Sequence, residues 1–234
     1  MEMVNILVTG ATKGIGKAIA QELKSIGNVY ATGRNIDALR EYDSYCVCDL
    51  ANDINILESF VADKKIDILI NNAGEYVYGG IDKMTDAQIE HIFAVNVIAP
   101  VKLIAKASAN MKEKKWGRIV NIGSISGVMG EANASLYSAT KAGMVGLTRA
   151  LALELAQYNI TVNTVNPGWV DTDMGMNSAE LSEFFKDEII ETIPQRRFVK
   201  PVEVAKLVKY LISEDAKGIT GQSINLCAGL SVGI

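Results

Sequence analysis

The stretch VNILVTGATKGIG, residues 4–16, decides the fold of this 234-residue chain. Its first half, Val4–Thr9, is a short apolar run typical of a buried strand. Its second half carries glycines in the spacing G-x-x-x-G-x-G and leads into a helical pattern over Ile15–Ile26. Such a loop lets the backbone approach phosphate groups, and the helix that follows offers them free N–H groups. We therefore expect a βαβ unit with a nucleotide site here.

Short apolar runs alternate with longer helical patterns along the rest of the chain, which predicts one domain over residues 1–234 with a parallel sheet covered on both faces. The predicted strands are Val4–Thr9, Asn28–Thr32, Tyr45–Cys48, Ile66–Asn71, Arg118–Ile122, Thr161–Asn166 and Ser223–Leu226. The predicted helices are Ile15–Ile26, Ile54–Ala62, Ala87–Lys114, Ser135–Tyr158 and Pro201–Ile212.

The irregular stretch is Gly168–Lys200. It is either a lid over a ligand crevice or a surface helix pair with its own apolar cluster, and the pattern leaves both open. Its apolar residues are Trp169, Met174, Met176, Phe184 and Phe185.

Composition excludes several classes of function. The net charge of -4 argues against broad nucleic-acid binding, and the single histidine, His91, excludes a histidine-rich metal site and a Ser-His-Asp hydrolase, so we expect no metal. No basic, apolar leader and no apolar run of membrane-spanning length is evident, so we expect a cytoplasmic protein without membrane contact. The basic cluster of Lys112, Lys114, Lys115 and Arg118 fits a solvated helix end better than a docking surface for an acidic partner.

The three cysteines are more typical of residues packed in the core than of a disulfide, redox or metal site. Cys46, Cys48 and Cys227 give no disulfide framework. Cys46 and Cys48 would share one face of a strand, which favours core packing over redox or metal chemistry.

Tyr137 and Lys141 stand four residues apart in the segment SLYSATKAG, with Ser124 thirteen residues upstream of the tyrosine. Residues four apart share one face of a helix, where an ammonium would favour the phenolate form of the tyrosine. Lowering a tyrosine pKa from its usual value to neutrality takes about 4 kcal/mol. One cation about 4 Å away supplies energy of that order. We expect Lys141 to lower the pKa of Tyr137 and make it an acid/base group; a solvated helix face is the alternative.

The end of the second predicted strand bears on the choice of cofactor. A cofactor with a free ribose 2′-hydroxyl usually meets a carboxylate at this point. This chain has Gly33 and then Arg34, with Lys13 in the glycine loop. Two cations and no carboxylate favour NADP(H) over NAD(H).

Pro100 lies four residues after Asn96 in a helical pattern. Proline has no N–H, so the carbonyl of Asn96 loses its usual helical partner. A bent helix with an open acceptor there would suit a bound water.

Together, these motifs resemble those of the short-chain dehydrogenase/reductase family over nearly the whole chain. The residues that carry the resemblance are the glycine loop, Asn71–Gly74, Asn96, Ser124, Tyr137, Lys141, Asn166–Gly168 with Thr172, and Ile219–Gln222. The resemblance implies a Rossmann-like, doubly wound sheet of about seven parallel strands and a homotetramer built partly on the helix that carries Tyr137.

The resemblance also implies residue roles. Ser124 and Tyr137 would hold and protonate the substrate oxygen, Lys141 would hold the nicotinamide ribose, and Asn96 would anchor a relay water. Asp49 with Leu50 would contact the adenine, and Val170 with Thr172 would hold the carboxamide. The full set implied for the cofactor is Gly10, Thr12, Lys13, Gly14, Ile15, Gly16, Arg34, Asp49, Leu50, Asn72, Ala73, Gly74, Tyr137, Lys141, Pro167, Gly168, Val170 and Thr172.

Within the family, the chain is most similar to 3-oxoacyl-acyl-carrier-protein reductases. One departure is Tyr158–Thr161, which lacks the arginine that often precedes this segment and helps to grip the acyl carrier protein. Lys115 and Arg118 are the other cations considered for that docking. The alternatives are an NADP-dependent alcohol, sugar or polyol dehydrogenase and, less favoured, a non-catalytic cofactor sensor or scaffold. A lyase or epimerase is disfavoured because such relatives usually have longer substrate domains.

Overall fold

A computed structural model describes residues 3–172 and 183–232, with side chains described from residue 186 onward in the second range. These ranges contain a seven-stranded parallel sheet in the order β3-β2-β1-β4-β5-β6-β7, which confirms the Rossmann-like fold class. The strands are β1 (Val4–Thr9), β2 (Gly27–Gly33), β3 (Ser44–Val47), β4 (Ile68–Asn71), β5 (Gly117–Ile122), β6 (Ile160–Pro167) and β7 (Ser223–Leu226).

Helices cover both faces of the sheet. They are α1 (Gly14–Leu23), α2 (Ile36–Leu39), α3 (Ile54–Asp63), α4 (Asp86–Phe93), α5 (Ala99–Lys114), α6 (Ser126–Met129), α7 (Ser135–Leu155), α8 (Glu183–Thr192) and α9 (Pro201–Leu211). The one-turn helices α2 and α6, and α8 in the irregular stretch, are additions to the elements predicted from the sequence.

Strand β1 shows how one sheet serves two cores. Ile6 and Val8 pack on one face with α1 and α9, whereas Leu7 packs on the other face with α3, α5 and α7. Successive side chains of a strand point to opposite faces, so a continuous apolar run is what a strand covered on both sides requires.

The predicted helix Ala87–Lys114 is interrupted by a π-helical turn over Ala94–Ile98, just before Pro100. An interruption of the α-helical pattern at this point agrees with the missing N–H of the proline. The whole helical stretch, Asp86–Lys114, is long and apolar enough by composition to cross a membrane, so the expectation that no segment reaches that length was wrong. Core helices pass the same test, and Leu103, Ile104 and Met111 of this stretch are buried against the sheet.

The basic cluster at the end of α5 serves the fold at the amino edge of the sheet. Lys114 Nζ contacts the buried carboxylate of Asp67 at 2.6 Å. Arg118 is fully buried and donates to Glu214 at 2.9 Å and to the carbonyl of Asn159 at 3.2 Å. The expectation that Arg118 is available to dock a carrier protein was therefore wrong. Lys115 is exposed, but it precedes β5 and lies at the edge opposite the strand's carboxyl end.

Glycine is required at position 16 because a β-carbon there would overlap the carbonyl oxygen of Gly10 and the side-chain nitrogen of Asn72. We expect Gly16→Ala to lower the free energy of unfolding by about 1–3 kcal/mol. The matched control is Gly143→Ala in α7, where the new β-carbon meets no atom of the described chain within 4 Å. That variant should gain about 0.5–1 kcal/mol from helix propensity. Urea unfolding measures both changes, and equal effects at the two positions would contradict this packing.

Candidate active site

A cleft of about 730 Å³ opens at the carboxyl edge of the sheet. Strand β1 pairs in parallel with β2 on one side and β4 on the other, so the order in which strands are added to the sheet reverses here, and the loops that leave in opposite directions open a crevice. Every residue that the sequence predicted to hold the cofactor lines this one cleft. Ser124, Tyr137 and Lys141 line it as well.

The glycine loop and the start of α1 form the floor of the cleft. Gly10 adopts a φ of +65°, which favours glycine and turns the chain out of β1. Helix α1 begins at Gly14, and the side chain of its N-cap residue, Lys13, does not hydrogen-bond to the first turn. Gly14, Ile15 and Gly16 of that turn line the cleft, and the N–H groups at the start of a helix suit the pyrophosphate of a dinucleotide.

Arg34 follows β2 and lines the cleft, as do Asp49 and Leu50 after β3. The guanidinium of Arg34 also has a protein partner: its Nη1 lies 3.0 Å from Glu75 Oε1. The carboxylate missing from the end of β2 is thus supplied by the loop after β4. The sequence pattern around β2 gave no sign of it.

The chemical end of the cleft lies beyond β5. Ser124 comes two residues after the end of this strand, while Tyr137 and Lys141 come from α7. The Ser124 side chain is near enough to Tyr137 to lower the pKa that the tyrosine would otherwise have. Lys141 Nζ donates to the carbonyl of Ile122 at 2.9 Å and lies 5.6 Å from the centroid of the Tyr137 ring. The structure therefore gathers the hydroxyl, the phenol and the ammonium at one end of the cleft.

The pKa of Tyr137 differs from the expectation. Burial raises it to about 12, the neighbouring Ser124 side chain opposes that rise, and the charge of Glu131 adds to it. The expected net lowering of this pKa was wrong, because desolvation outweighs any stabilisation of the phenolate by Lys141. Desolvation favours the neutral phenol over the phenolate. Tyr137 therefore rests in its proton-bearing form.

Asn96 lies behind the cleft rather than in its wall. It is buried; its Oδ1 accepts from the N–H of Glu75 at 2.8 Å, and its Nδ2 donates to the carbonyl of Glu75 at 2.9 Å and to Thr140 Oγ1 at 3.2 Å. The side chain thus clamps the loop after β4 against α7. The π-helical turn that contains Asn96 sets it in this position.

Comparisons with known proteins agree with this geometry. The model of a family described as enoyl-(acyl carrier protein) reductase matches residues 10–231. The chain belongs to the short-chain dehydrogenase/reductase family. A family relative, the 3-oxoacyl-[acyl-carrier-protein] reductase MabA of Mycobacterium tuberculosis, is 34% identical over 98% of this chain and 93% of its own length. The 3-oxoacyl-[acyl-carrier-protein] reductase FabG of Aquifex aeolicus is 38% identical over 96% of each chain.

Solved structures of ketoreductases share the family fold. A tryptophan variant of actinorhodin polyketide ketoreductase, solved with NADPH, gives a TM-score of 0.91 at 36% identity and covers 99% of this chain and 100% of its own. YwfH, described as an NADPH-dependent reductase involved in bacilysin biosynthesis, gives a TM-score of 0.93 at 26% identity, with 100% of both chains covered.

Glu131 and Tyr76 are residues of this short-chain dehydrogenase/reductase cleft that the sequence analysis missed. The hydroxyl of Tyr76 donates to Glu131 Oε1 at 2.6 Å, and Ser126 Oγ donates to Oε2 at 2.7 Å. Ser124 Oγ in turn donates to Ser126 Oγ at 3.1 Å, and the Tyr76 ring lies edge-on to Tyr137 at 5.0 Å. A carboxylate can only accept, so Glu131 sets the direction of this chain of hydroxyls.

The far wall of the cleft contains Pro167, Gly168, Val170 and Thr172. Val170 pairs with Val199 through a single β-bridge, and Trp169 stacks near Phe198 at 6.2 Å. Met174 and Met176 lie outside the described residues, as do the side chains of Phe184 and Phe185. The lid over Gly168–Lys200 therefore remains a prediction.

Burial of Lys141 makes stability depend on pH. Its pKa is lowered by desolvation from 10.5 in the unfolded chain to about 8. The destabilisation caused by burying this ammonium is fully present below pH 8. It is lost as the pH rises from about 8 to 10.5, because the folded protein then releases the proton before the unfolded chain does. We expect Lys141→Met to be stabilising relative to wild type at pH 7.5, with a difference that narrows at pH 9.5. Urea unfolding at the two pH values measures this, and a difference that does not change with pH would contradict the buried charge.

Proposed function

We propose that this chain is an NADPH-dependent reductase that transfers hydride to the ketone of a 3-oxoacyl thioester. The observation that carries the proposal is the meeting of Ser124, Tyr137 and Lys141 in one cleft that the glycine loop also lines. Relatives named 3-oxoacyl-[acyl-carrier-protein] reductases cover nearly the whole chain and support the substrate class. The ketoreductase solved with NADPH supports the cofactor.

NADPH, when bound, supplies the hydride, and the protein supplies orientation and the proton. The first turn of α1 would hold the pyrophosphate, Arg34 with Lys13 the 2′-phosphate, and Lys141 the ribose hydroxyls. Val170 and Thr172 would hold the carboxamide.

The two hydroxyl groups of the site suit carbonyl reduction. Ser124 and Tyr137 would both donate to the substrate oxygen, so negative charge meets ready donors as it forms. The raised pKa of Tyr137 keeps its proton in place until an alkoxide develops beside it. The pKa of Lys141, about 8, leaves it mainly charged at neutral pH, so that it favours the phenolate that remains after proton transfer.

An NADP-dependent alcohol, sugar or polyol dehydrogenase is the second candidate. Glu131, Ser126 and Tyr76 give the cleft beside Tyr137 a polar wall, which suits a hydroxylated substrate. A substrate panel separates the candidates: a 3-oxoacyl thioester, a 2-enoyl thioester, simple ketones and polyols, each with NADPH and NADH. We expect the highest kcat/KM for the 3-oxoacyl thioester. NADPH oxidation only with the enoyl thioester or with a free ketone would contradict that choice of substrate.

Carrier-bound delivery of the substrate, a homotetramer and a cytoplasmic location complete the proposal. The named carrier-protein reductases support delivery by an acyl carrier protein. Any cations that dock such a carrier must lie near the cleft, because Arg118 is buried and Lys115 is at the opposite edge of the sheet.

Tyr137→Phe tests the proton donor. The variant keeps the ring that packs against Tyr76 but loses the hydroxyl, so we expect kcat to fall by about 10²-fold or more while NADPH affinity stays within about twofold. Single-turnover kinetics and calorimetric titration with NADPH measure the two effects. Normal turnover in this variant would refute the assignment, whereas loss of NADPH binding would indicate a structural role for the hydroxyl.

A further inference from the structure

Glu75 lies against the residue that the proposed function assigns to the 2′-phosphate. Arg34 Nη1 is 3.0 Å from Glu75 Oε1, and both residues line the cleft. The other carboxylate oxygen of Glu75, Oε2, is 2.8 Å from His91 Nε2. The carboxylate is therefore held from two sides at the mouth of the cleft.

The backbone of Glu75 is fixed as well. Asn96 accepts from its N–H and donates to its carbonyl, so the residue cannot swing away without breaking the clamp. The Glu75 side chain is 27% exposed and that of Arg34 is 66% exposed. The carboxylate is thus the more firmly placed member of the pair, and Arg34 is the member that can adjust.

The position of this carboxylate bears on the choice between NADH and NADPH. A free ribose 2′-hydroxyl needs an acidic acceptor near the end of the second strand, whereas a 2′-phosphate needs cations. The end of β2 offers Gly33 and Arg34, but the fold brings Glu75 to the same place from a different loop. A carboxylate accepts a hydrogen bond from a hydroxyl and repels a phosphate dianion.

We propose that Glu75 is a cofactor-selectivity residue that makes the cleft accept NADH as well as NADPH; this rests on the proposed function. Glu75 serves as the acceptor for a 2′-hydroxyl and competes with a 2′-phosphate for Arg34. The contact takes one nitrogen of the guanidinium, so the remaining donors of Arg34 still reach a phosphate. Discrimination between the two dinucleotides is therefore modest in the native chain.

Calorimetric titration of the protein without substrate tests this directly. We expect wild type to bind NADPH and NADH with dissociation constants within about 30-fold of each other. In Glu75→Gln, NADPH should bind about two- to fivefold tighter, because Arg34 loses its competing anion. NADH should bind about three- to tenfold weaker, because a charged acceptor becomes a neutral amide.

Glu41→Gln is the matched control. Glu41 pairs with Lys17 at 2.7 Å, and neither residue lines the cleft, so this change removes the same charge from a surface ion pair elsewhere. Its NADPH:NADH affinity ratio should stay within about twofold of wild type. Thermal melts of both variants check that they are folded.

The double variant Glu75→Gln/Arg34→Ala shows whether Glu75 acts through Arg34. The gain in NADPH affinity should disappear in the Arg34→Ala background, as expected for coupled neighbours. Three results would overturn the inference: a gain that persists in the Arg34→Ala background, an NADPH:NADH affinity ratio unchanged in Glu75→Gln, or a wild-type preference for NADPH above about 10³-fold. Each of them would leave the reductase proposal standing. Failure of wild type to bind either dinucleotide would overturn both.

Discussion

The hydrogen bond from Lys141 to the carbonyl of Ile122 is the contact on which the site depends. It joins α7 to the last residue of β5, at 2.9 Å, and so fixes the helix face that carries Tyr137 beside Ser124. Buried hydrogen bonds also hold α7 against the sheet. Asn121 Nδ2 of β5 donates to Thr148 Oγ1 of α7 at 2.9 Å, and that hydroxyl lies 2.7 Å from Thr164 Oγ1 of β6. Partnered polar groups inside a core define one register more sharply than apolar packing does.

This arrangement contains a buried cation and a half-buried phenol, each with its pKa moved against its charged form. Desolvation lowers the effective dielectric around the Tyr137 hydroxyl and the Lys141 ammonium, and oriented donors act more strongly on a developing charge there. The same desolvation keeps Tyr137 protonated in the resting protein. The fold and the protonation state of the site therefore have one cause.

Much of the fold and of the site could be predicted from short-range pattern. The apolar run of β1 with its glycine loop indicated the βαβ unit, helical spacing placed Tyr137 beside Lys141, and Pro100 indicated the break near Asn96. These inferences succeed because each depends on residues within one turn or one loop. The positions of the strands followed from alternation of apolar runs, although β2 and α1 differ by a few residues at their ends from the predicted bounds.

Long-range contacts account for what the pattern missed. The pairing of Arg34 with Glu75 joins loops from different strands, and the burial of Arg118 depends on Glu214 near the end of the chain. The pKa of Tyr137 was predicted in the wrong direction because helical spacing reports a neighbouring cation but not desolvation. The lid expected over Gly168–Lys200 lies partly outside the described residues, so it stays a prediction.

Isotope transfer tests the central claim most directly, that the cleft brings a ketone to the reactive face of a bound dinucleotide. The measurement is mass spectrometry of the alcohol formed from a 3-oxoacyl thioester and NADPH labelled with deuterium at carbon 4, using each of the two labelled diastereomers. We expect one deuterium on the new carbinol carbon from one diastereomer and none from the other. Deuterium from neither, or equally from both, would contradict it.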